Sequence, residues 1–305
     1  MAYDLTQIND FIKRENEVLT ATLFSSNDTA KFAKIMTGIK GSTELLKITG
    51  GAKLQAGVHK SPDGNTKGEK VTLTVKPFTY YESFEQDDLQ FKLPNTMVAP
   101  GSNNAETPKP WEQALVETKV TDIAEQLEVQ YWQGDTAGSE HNIFDGFLKT
   151  IDASADVIEG NTSNATEITV ANVRDLVDVM RDEAPAKVKR KKEFSVYVGD
   201  DVFDLYIKAE KAANLYHFSP EHNDGVYRVG GSGLQLVRTY GLNETNRMVA
   251  TVGENLIIGA DVEGEEQSID MWYDKTSDLT YMRVKAKAGV QIVNPQEIVE
   301  FTLSV

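Results

Sequence analysis

The last third of the chain constrains the fold most, because it is a series of short β-rich runs separated by turn residues. From Val226 it reads VYRVGGSGLQLVRTYGL, then MVATVGENLIIGADVEGEEQSIDMWYD and DLTYMRVKAKAGVQIVNPQEIVEFTLSV, with glycine or asparagine between the runs. Runs of this length bounded by turn signals are typical of strands. We find no catalytic motif within them, which indicates an architectural role rather than a chemical one.

The composition excludes several classes of protein. The chain has 305 residues, 47 acidic against 31 basic ones, no cysteine and a formal net charge of −16. Nucleic-acid affinity comes mainly from Lys and Arg at phosphates, so this charge disfavours specific DNA binding and suits a wall that encloses DNA without gripping it. The absence of cysteine excludes disulfides and thiolate metal sites. No run of about 18 apolar residues is present, which excludes a membrane-spanning helix.

A hairpin is the clearest local unit of the first hundred residues. Apolar side chains alternate along AKLQAGVHK and again along KVTLTVKPFTY, with the turn-rich SPDGNTKGEK between them. The predicted hairpin covers residues 52–81 and reaches roughly 30 Å. A lone two-stranded hairpin is marginal in water, so it needs a surface to lie on. We expect that surface on a neighbouring copy, and the alternative is the body of its own domain.

Helical periodicity predicts a short-helix arm and one long helix. Residues 1–50 are expected to form a loose arm, with helices over residues 5–20 and over the apolar series Phe32, Ile35, Met36 and Ile39. The long helix begins near Pro108 and Pro110, which suit a first turn. Its apolar stripe covers about 24 residues, or roughly 36 Å. The stripe consists of Val116, Val120, Ile123, Leu127 and Tyr131.

The region from 144 to 262 follows a βα order. A helix from Val170, the buried-looking strand FSVYV and a helix capped by Asp200 predict a mixed α/β domain. The strand-rich segment 266–305 is expected to join the long helix in a second domain.

The residue types that carry chemistry do not form specific patterns. The GGSG of residues 230–233 lacks the third glycine of a dinucleotide loop and precedes a strand-like run. The acidic pairs at 87–88 and 200–201 fit a charged bend and a helix cap better than a metal site. The basic run KVKRKK at 187–192 is expected to be an exposed loop, with nucleic-acid binding as the alternative. The histidines show no ligand register: His59, His141, His217 and His222.

The order of these parts resembles the major capsid proteins of tailed bacteriophages, of the Hong Kong ninety-seven type. In that family an N-terminal arm precedes an extended hairpin (the E-loop), a peripheral (P) domain with a long spine helix, and an axial (A) domain. The chain then returns to the P-domain sheet. VTLTVKPFTYYESF is similar to the strand leading into the P domain, FSVYVGDDVFDLYIK to the A-domain strand and helix, and DLTYMRVKAKAGVQIVNPQEIVEF to the closing segment.

The resemblance implies an α+β fold in five successive segments. These are an N-terminal arm at 1–45, the E-loop hairpin at 46–80, a first P-domain part at 81–143 with the spine helix at about 108–132, the A domain at 144–262, and closing P-domain strands at 263–305.

The resemblance also implies a function. Pentamers and hexamers of the chain would form an icosahedral virion shell around double-stranded DNA, assembled in the bacterial cytoplasm, without enzymatic activity, cofactor, metal or membrane. Because the sequence starts at the arm, the resemblance implies either a separate scaffolding protein or a mature form that lacks a scaffolding segment, and it implies a portal as a further partner. Residues 277–288 contain no asparagine for the prototype's crosslink to an E-loop lysine, so the shell is expected to be non-covalent.

Eight charged residues are candidates for contacts between subunits. E-loop lysines of one copy are expected to face acids of an adjacent P domain, and each exposed pair contributes only about 0–1 kcal/mol. The lysines are Lys53, Lys60, Lys67 and Lys70, and the acids are Glu82, Glu85, Asp87 and Asp88.

Three alternatives remain open at this point. An encapsulin-type compartment shares the fold and encloses cargo enzymes instead of a genome. A two-domain hydrolase would use the acidic pairs, and a DNA-binding module would use KVKRKK.

Overall fold

The computed structural model describes residues 23–24, 27–50, 66–85, 110–213, 225–230, 232–261, 268–277 and 279–304. The fold class is α+β, as the sequence predicts. In the described residues, no helix is both long enough and apolar enough to cross a membrane.

Strands dominate the described chain. In order they are β1 (Lys34–Met36), β2 (Ser42–Thr49), β3 (Lys67–Thr74), β4 (Lys76–Glu85), β5 (Ile158–Glu159), β6 (Phe194–Val198), β7 (Val226–Arg228), β8 (Gln235–Arg238), β9 (Met248–Val252), β10 (Leu256–Ala260), β11 (Ser268–Asp274), β12 (Leu279–Ile292) and β13 (Val299–Phe301).

Among the residues that the structure describes, the strands are connected by the following α-helices and short 3₁₀ turns. The helices are α1 (Pro110–Gln133), α2 (Phe147–Asp152), α3 (Val173–Glu183), α4 (Ala186–Lys189) and α5 (Asp200–Ala212). The 3₁₀ turns are Thr29–Lys31, Tyr240–Leu242, Gly253–Asn255 and Pro295–Glu297.

The first sheet is built around β12 and packs against the long helix. Its order is β1-β10-β12-β11, and β4 pairs antiparallel with β12 along ten residues. Alternate β12 side chains are buried, which gives the sheet one inner face. The predicted apolar stripe of α1 is buried against that face, from Val116 to Tyr131, so this prediction is confirmed. Each such side chain contributes about 1.5–3 kcal/mol on burial.

The second sheet has six strands in the order β5-β13-β9-β6-β8-β7. All five residues of β6 are buried, as expected for a strand covered on both faces. β6 runs parallel to β8 through the crossover helix α5, which confirms the predicted βα order. Helices α3 and α5 supply the apolar side chains of this core.

The hairpin is displaced along the sequence from its predicted position. β2 pairs antiparallel with β3, from Ser42 opposite Thr74 to Thr49 opposite Lys67. The expected first strand, AKLQAGVHK, lies outside the described residues. Leu45 and Leu73 pack with Ile257 of the first sheet, so the base of the hairpin rests on its own chain. This part of the alternative, a hairpin on its own domain, is correct.

Two local predictions are wrong. The apolar series at 32–39 does not form a helix, because Lys34–Met36 pair in parallel with β10 and gain the backbone hydrogen bonds of the sheet. Asp200 is not the cap of α5 but its first residue, and Gly199 holds the N-cap position. A Cβ at Gly199 would lie 2.7 Å from the Leu242 carbonyl oxygen, which favours glycine at this close approach.

Several strands cross the predicted segment boundaries, and β1 of the predicted arm joins the first sheet. β10 belongs to the first sheet although its residues fall within 144–262. β13 belongs to the second sheet although it falls within 263–305, because the chain leaves β12 and reverses at the 3₁₀ turn Pro295–Glu297. The division of the chain into five segments otherwise stays a prediction.

Candidate inter-subunit surface

Two aliphatic side chains project from the outer face of the hairpin. Leu46 is 65% exposed and Ile48 is 64% exposed, whereas Leu45 of the same strand is buried. Ile48 lies opposite Gly68, which adds no side chain to cover it. Leu46 and Ile48 thus form a small exposed aliphatic pair on the hairpin, which another protein can cover.

Two of the four predicted E-loop lysines lie on the strand that pairs with this apolar pair. Lys67 and Lys70 are exposed on β3, while Lys53 and Lys60 lie outside the described residues. The Lys70 Nζ is 2.5 Å from a Glu44 Oε2 of the same hairpin. Since both side chains are largely exposed, this ion pair contributes little to stability.

The two described acids of the predicted set, Glu82 and Glu85, do not form one patch. Glu82 points towards α1, where its Oε2 lies 2.9 Å from the Lys119 Nζ and also accepts the Tyr80 hydroxyl. Burial alone would raise the pKa of Glu82, but the hydrogen bonds from Tyr80 and Lys119 outweigh it and lower that pKa. Glu85 is exposed at the end of β4, and Asp87 and Asp88 lie outside the described residues.

The sequence reasoning missed an aromatic cluster on the outer face of the first sheet. Tyr81, Trp272 and Tyr281 come from β4, β11 and β12, and Tyr81 is 57% exposed. The Tyr81 and Tyr281 rings stack at 5.5 Å, and the Trp272 and Tyr281 rings at 5.7 Å. The Arg283 guanidinium lies 5.2 Å from the Trp272 ring and pairs with Asp270 at 2.8 Å.

This aromatic cluster could be found in the sequence only by pairing the strands. Period-two alternation puts Tyr81 on one face of β4 and Tyr281 on one face of β12, but their adjacency depends on the register of three strands. Large stacked aromatic side chains beside a guanidinium are typical of protein–protein contact surfaces. The outer face of this sheet is therefore a second candidate surface.

The motifs weighed for chemistry have structural roles. Asp200 pairs with Arg238 and accepts from Asn243 Nδ2 at 2.9 Å, and these contacts outweigh burial and lower its pKa. Gly230, Ser232 and Gly233 of the GGSG run lie between the antiparallel strands β7 and β8. Within the part of the chain that the structure describes, no three His, Asp or Glu side chains are grouped as metal ligands.

The basic run at 187–192 is largely exposed, but it is not wholly the predicted loop, because its first three residues belong to α4. Val188 anchors it in the core, and Lys191 Nζ lies 3.2 Å from Glu297 Oε2. Lys189 Nζ is 4.0 Å from Asp182 Oδ1. His141 lies beside α1, and the other three histidines fall outside the described residues.

The comparisons with known proteins identify the fold. No known protein family and no curated protein matches the sequence. Among solved structures, the satellite phage P4 procapsid including size determination (Sid) protein matches with a TM-score of 0.61 and 10% identity, over 94% of this chain and 97% of that chain.

Two further structures match over most of both chains. The capsid of an empty GTA particle has a TM-score of 0.58 at 12% identity, over 92% of this chain and 91% of that chain. Gordonia phage Cozz has a TM-score of 0.57 at 9% identity, over 92% and 87%. At these identities the likeness concerns the fold. The chain has the fold of the major capsid proteins of tailed phages.

Proposed function

We propose that this chain is a structural shell protein, many copies of which form pentamers and hexamers in an icosahedral capsid around double-stranded DNA. The observation that carries the proposal is the capsid fold combined with a projecting hairpin whose outer face exposes Leu46 and Ile48. A neighbouring copy would cover this apolar pair. Ring contacts between copies are heterologous and must close, as they do in pentamers and hexamers.

The segments then have distinct roles in the shell. Residues 144–262 would form the axial domain at the centre of each capsomer, and residues 81–143 with 263–305 the peripheral domain. The hairpin at 46–80 would lie over the peripheral domain of an adjacent copy, with Lys67 or Lys70 near its acids. The arm at 1–45 would also rest partly on neighbours. The contacts would be non-covalent.

The net charge of −16 supports enclosure of DNA without sequence-specific binding. The capsid structures to which the chain is similar support a non-enzymatic role. A separate scaffolding protein and a portal would be the partners, with assembly in the host bacterial cytoplasm and the virion capsid as final location.

Replacing both Leu46 and Ile48 with aspartate is expected to abolish shells while leaving folded, soluble subunits. Both side chains are exposed, so the stability of the subunit should change by no more than about 0.5 kcal/mol per substitution. Charged side chains in a desolvated contact would weaken every hairpin contact in the shell. Electron microscopy of particles from expressing cells and circular dichroism of the purified subunit measure the two effects.

The matched control is the double variant Leu46→Ile and Ile48→Leu, which keeps the apolar area and should assemble normally. Normal shells from the aspartate variant would contradict the role of the hairpin. The contents of wild-type particles, nucleic acid or an enzyme, distinguish a genome shell from an encapsulin-type compartment.

A further inference from the structure

A buried carboxylate fastens the arm to the long helix. The backbone N–H of Thr29 donates to both carboxylate oxygens of Glu128, at 3.2 and 3.3 Å, and the Thr29 hydroxyl donates to Oε1. The indole N–H of Trp132 donates to the Thr29 hydroxyl oxygen at 2.6 Å. Thr29 is fully buried and Glu128 is 2% exposed. The polar groups at the start of this 3₁₀ turn therefore converge on one carboxylate.

This contact between Thr29 and Glu128 lies where the arm, α1 and the second sheet meet. The Phe32 ring packs edge-on against Tyr197 of β6 at 6.3 Å. A Cβ at Gly241 would lie 2.4 Å from the Glu128 carbonyl oxygen, so the second sheet's 3₁₀ turn touches the α1 backbone. The turn at 29–31 thus occupies the seam between the long helix and the second sheet.

Glu128 has no cation of its own among the described residues. It borders a cavity of about 360 Å³ between the arm, α1 and the second sheet. Several charged or titratable groups surround Glu128. They are Asp28 and Lys31 of the arm, Glu125 and Tyr131 of α1, Asp200 of α5, Arg238 of β8 and Tyr240 of the following 3₁₀ turn. Lys31 pairs with Asp28 at 3.1 Å, and Arg238 pairs with Asp200. The two cations are therefore already committed to other acids.

We propose that Glu128 is a proton-operated latch, which holds the arm turn in the seam when protonated and loosens it when ionised. An ionised carboxylate beneath Thr29 accepts hydrogen bonds from Thr29 but has no described cation and almost no contact with water, and moving the turn away would let water reach it. The proposal does not depend on shell assembly, because every contact lies within one chain.

Proton linkage gives the direction of the effect. Burial raises the pKa of Glu128 to about 7 and the charge of Asp28 adds to the rise, while the Thr29 hydrogen bonds oppose it. With the turn displaced, the hydrated carboxyl would have an ordinary pKa of about 4.3. The closed state then binds the proton more tightly than the open state. Its advantage is complete below about pH 4 and is lost as the pH rises through about 7.

Hydrogen exchange of the arm-turn amides tests the latch. After correction for intrinsic exchange rates, the opening equilibrium of residues 29–33 should rise roughly 100-fold between pH 5 and pH 8. Glu128→Gln, which has no titration, should make this opening independent of pH. Glu125→Gln, an exposed acid one turn earlier on α1, should leave the pH dependence intact.

A second variant keeps the test decisive if Glu128→Gln does not fold. Thr29→Val preserves the shape but removes the hydroxyl donor that favours the ionised carboxyl, so the transition should move to higher pH. Glu300→Gln should not change the response of the turn. Three results would overturn the proposal. One is an unchanged pH dependence of exchange in Glu128→Gln, and another is no shift of the transition in Thr29→Val. The third is exchange of the arm-turn amides at the same rate as the amides of the second sheet at every pH.

Discussion

Replacing Trp132 with alanine is expected to lower the free energy of unfolding by about 3–5 kcal/mol, the usual range for a large buried aromatic residue. The Trp132 side chain is fully buried, 5.3 Å from the Phe147 ring and 5.7 Å from the Tyr197 ring. It thereby connects α1 to α2 and to the second sheet. Guanidinium-induced unfolding, followed by far-UV circular dichroism, measures the change.

Two further variants show how the Trp132 ring, its N–H and its position contribute to the loss of stability in Trp132→Ala. Trp132→Phe keeps an aromatic ring but loses the N–H that donates to Thr29, and should cost about 1–3 kcal/mol. Trp272→Ala removes the same side chain from the outer face of the first sheet and should cost about 1 kcal/mol, mainly the contact with Arg283. Equal losses for Trp132→Ala and Trp272→Ala would contradict the seam's central role.

Elements with a strong local period could be predicted from the sequence. The stripe from Val116 to Tyr131 repeats with the helical period, and these side chains are buried in α1. The continuous apolar run FSVYV predicts a covered strand, and β6 is one. In both cases the pattern depends only on residues within the element.

The first strand of the hairpin was missed because its pattern is not periodic. In STELLKIT, apolar residues occupy both faces, and Lys47 is buried beside Glu69 at 3.2 Å while Leu46 and Ile48 are exposed. Period-two reasoning therefore favoured the more regular AKLQAGVHK. Leu46 and Ile48 can be recognised as an exposed pair only once the pairing of β2 with β3 shows which face of β2 is buried.

The candidate surfaces and the latch depend on contacts between residues far apart in the sequence. Tyr81 meets Tyr281 only through the pairing of β4 with β12. Glu128 meets Thr29 across 99 positions, and a glutamate in an amphipathic helix is ordinarily assigned to the solvent face. Charge content alone directed attention to Glu82, whose carboxylate is engaged with Lys119 inside its own chain.

Replacing Arg247 with leucine is expected to destabilise the subunit by about 2–3 kcal/mol at pH 8, somewhat below the ~3–5 kcal/mol typical of a fully buried ion pair. The Arg247 guanidinium contacts the carboxylates of Asp152 and Glu300, and its side chain is 19% exposed. Glu300 lies on β13, between β5 and β9. Without Arg247, its buried carboxylate would have no cation to offset its charge.

The loss of stability caused by Arg247→Leu should become smaller as the pH falls. Burial raises the pKa of Glu300 to about 7, although Arg247 opposes the rise. Because this pKa exceeds the unfolded value of about 4.3, the associated stability is present below about pH 4 and is lost as the pH rises through about 7. Removal of Arg247 raises the pKa of Glu300 further, so the variant and the wild type should differ by less than about 1 kcal/mol at pH 5.

The double variant Arg247→Leu with Glu300→Gln shows whether the buried charge causes the loss. It should recover most of the stability at pH 8, since the neutral amide needs no counter-ion, and its unfolding free energy should depend less on pH than that of Arg247→Leu. Chemical denaturation of the wild type, the single variants Arg247→Leu and Glu300→Gln, and the double variant at pH 5 and pH 8 completes the double-mutant cycle. A loss that is equal at both pH values would mean that Arg247 acts through packing of its aliphatic stem, and not through the charge of Glu300.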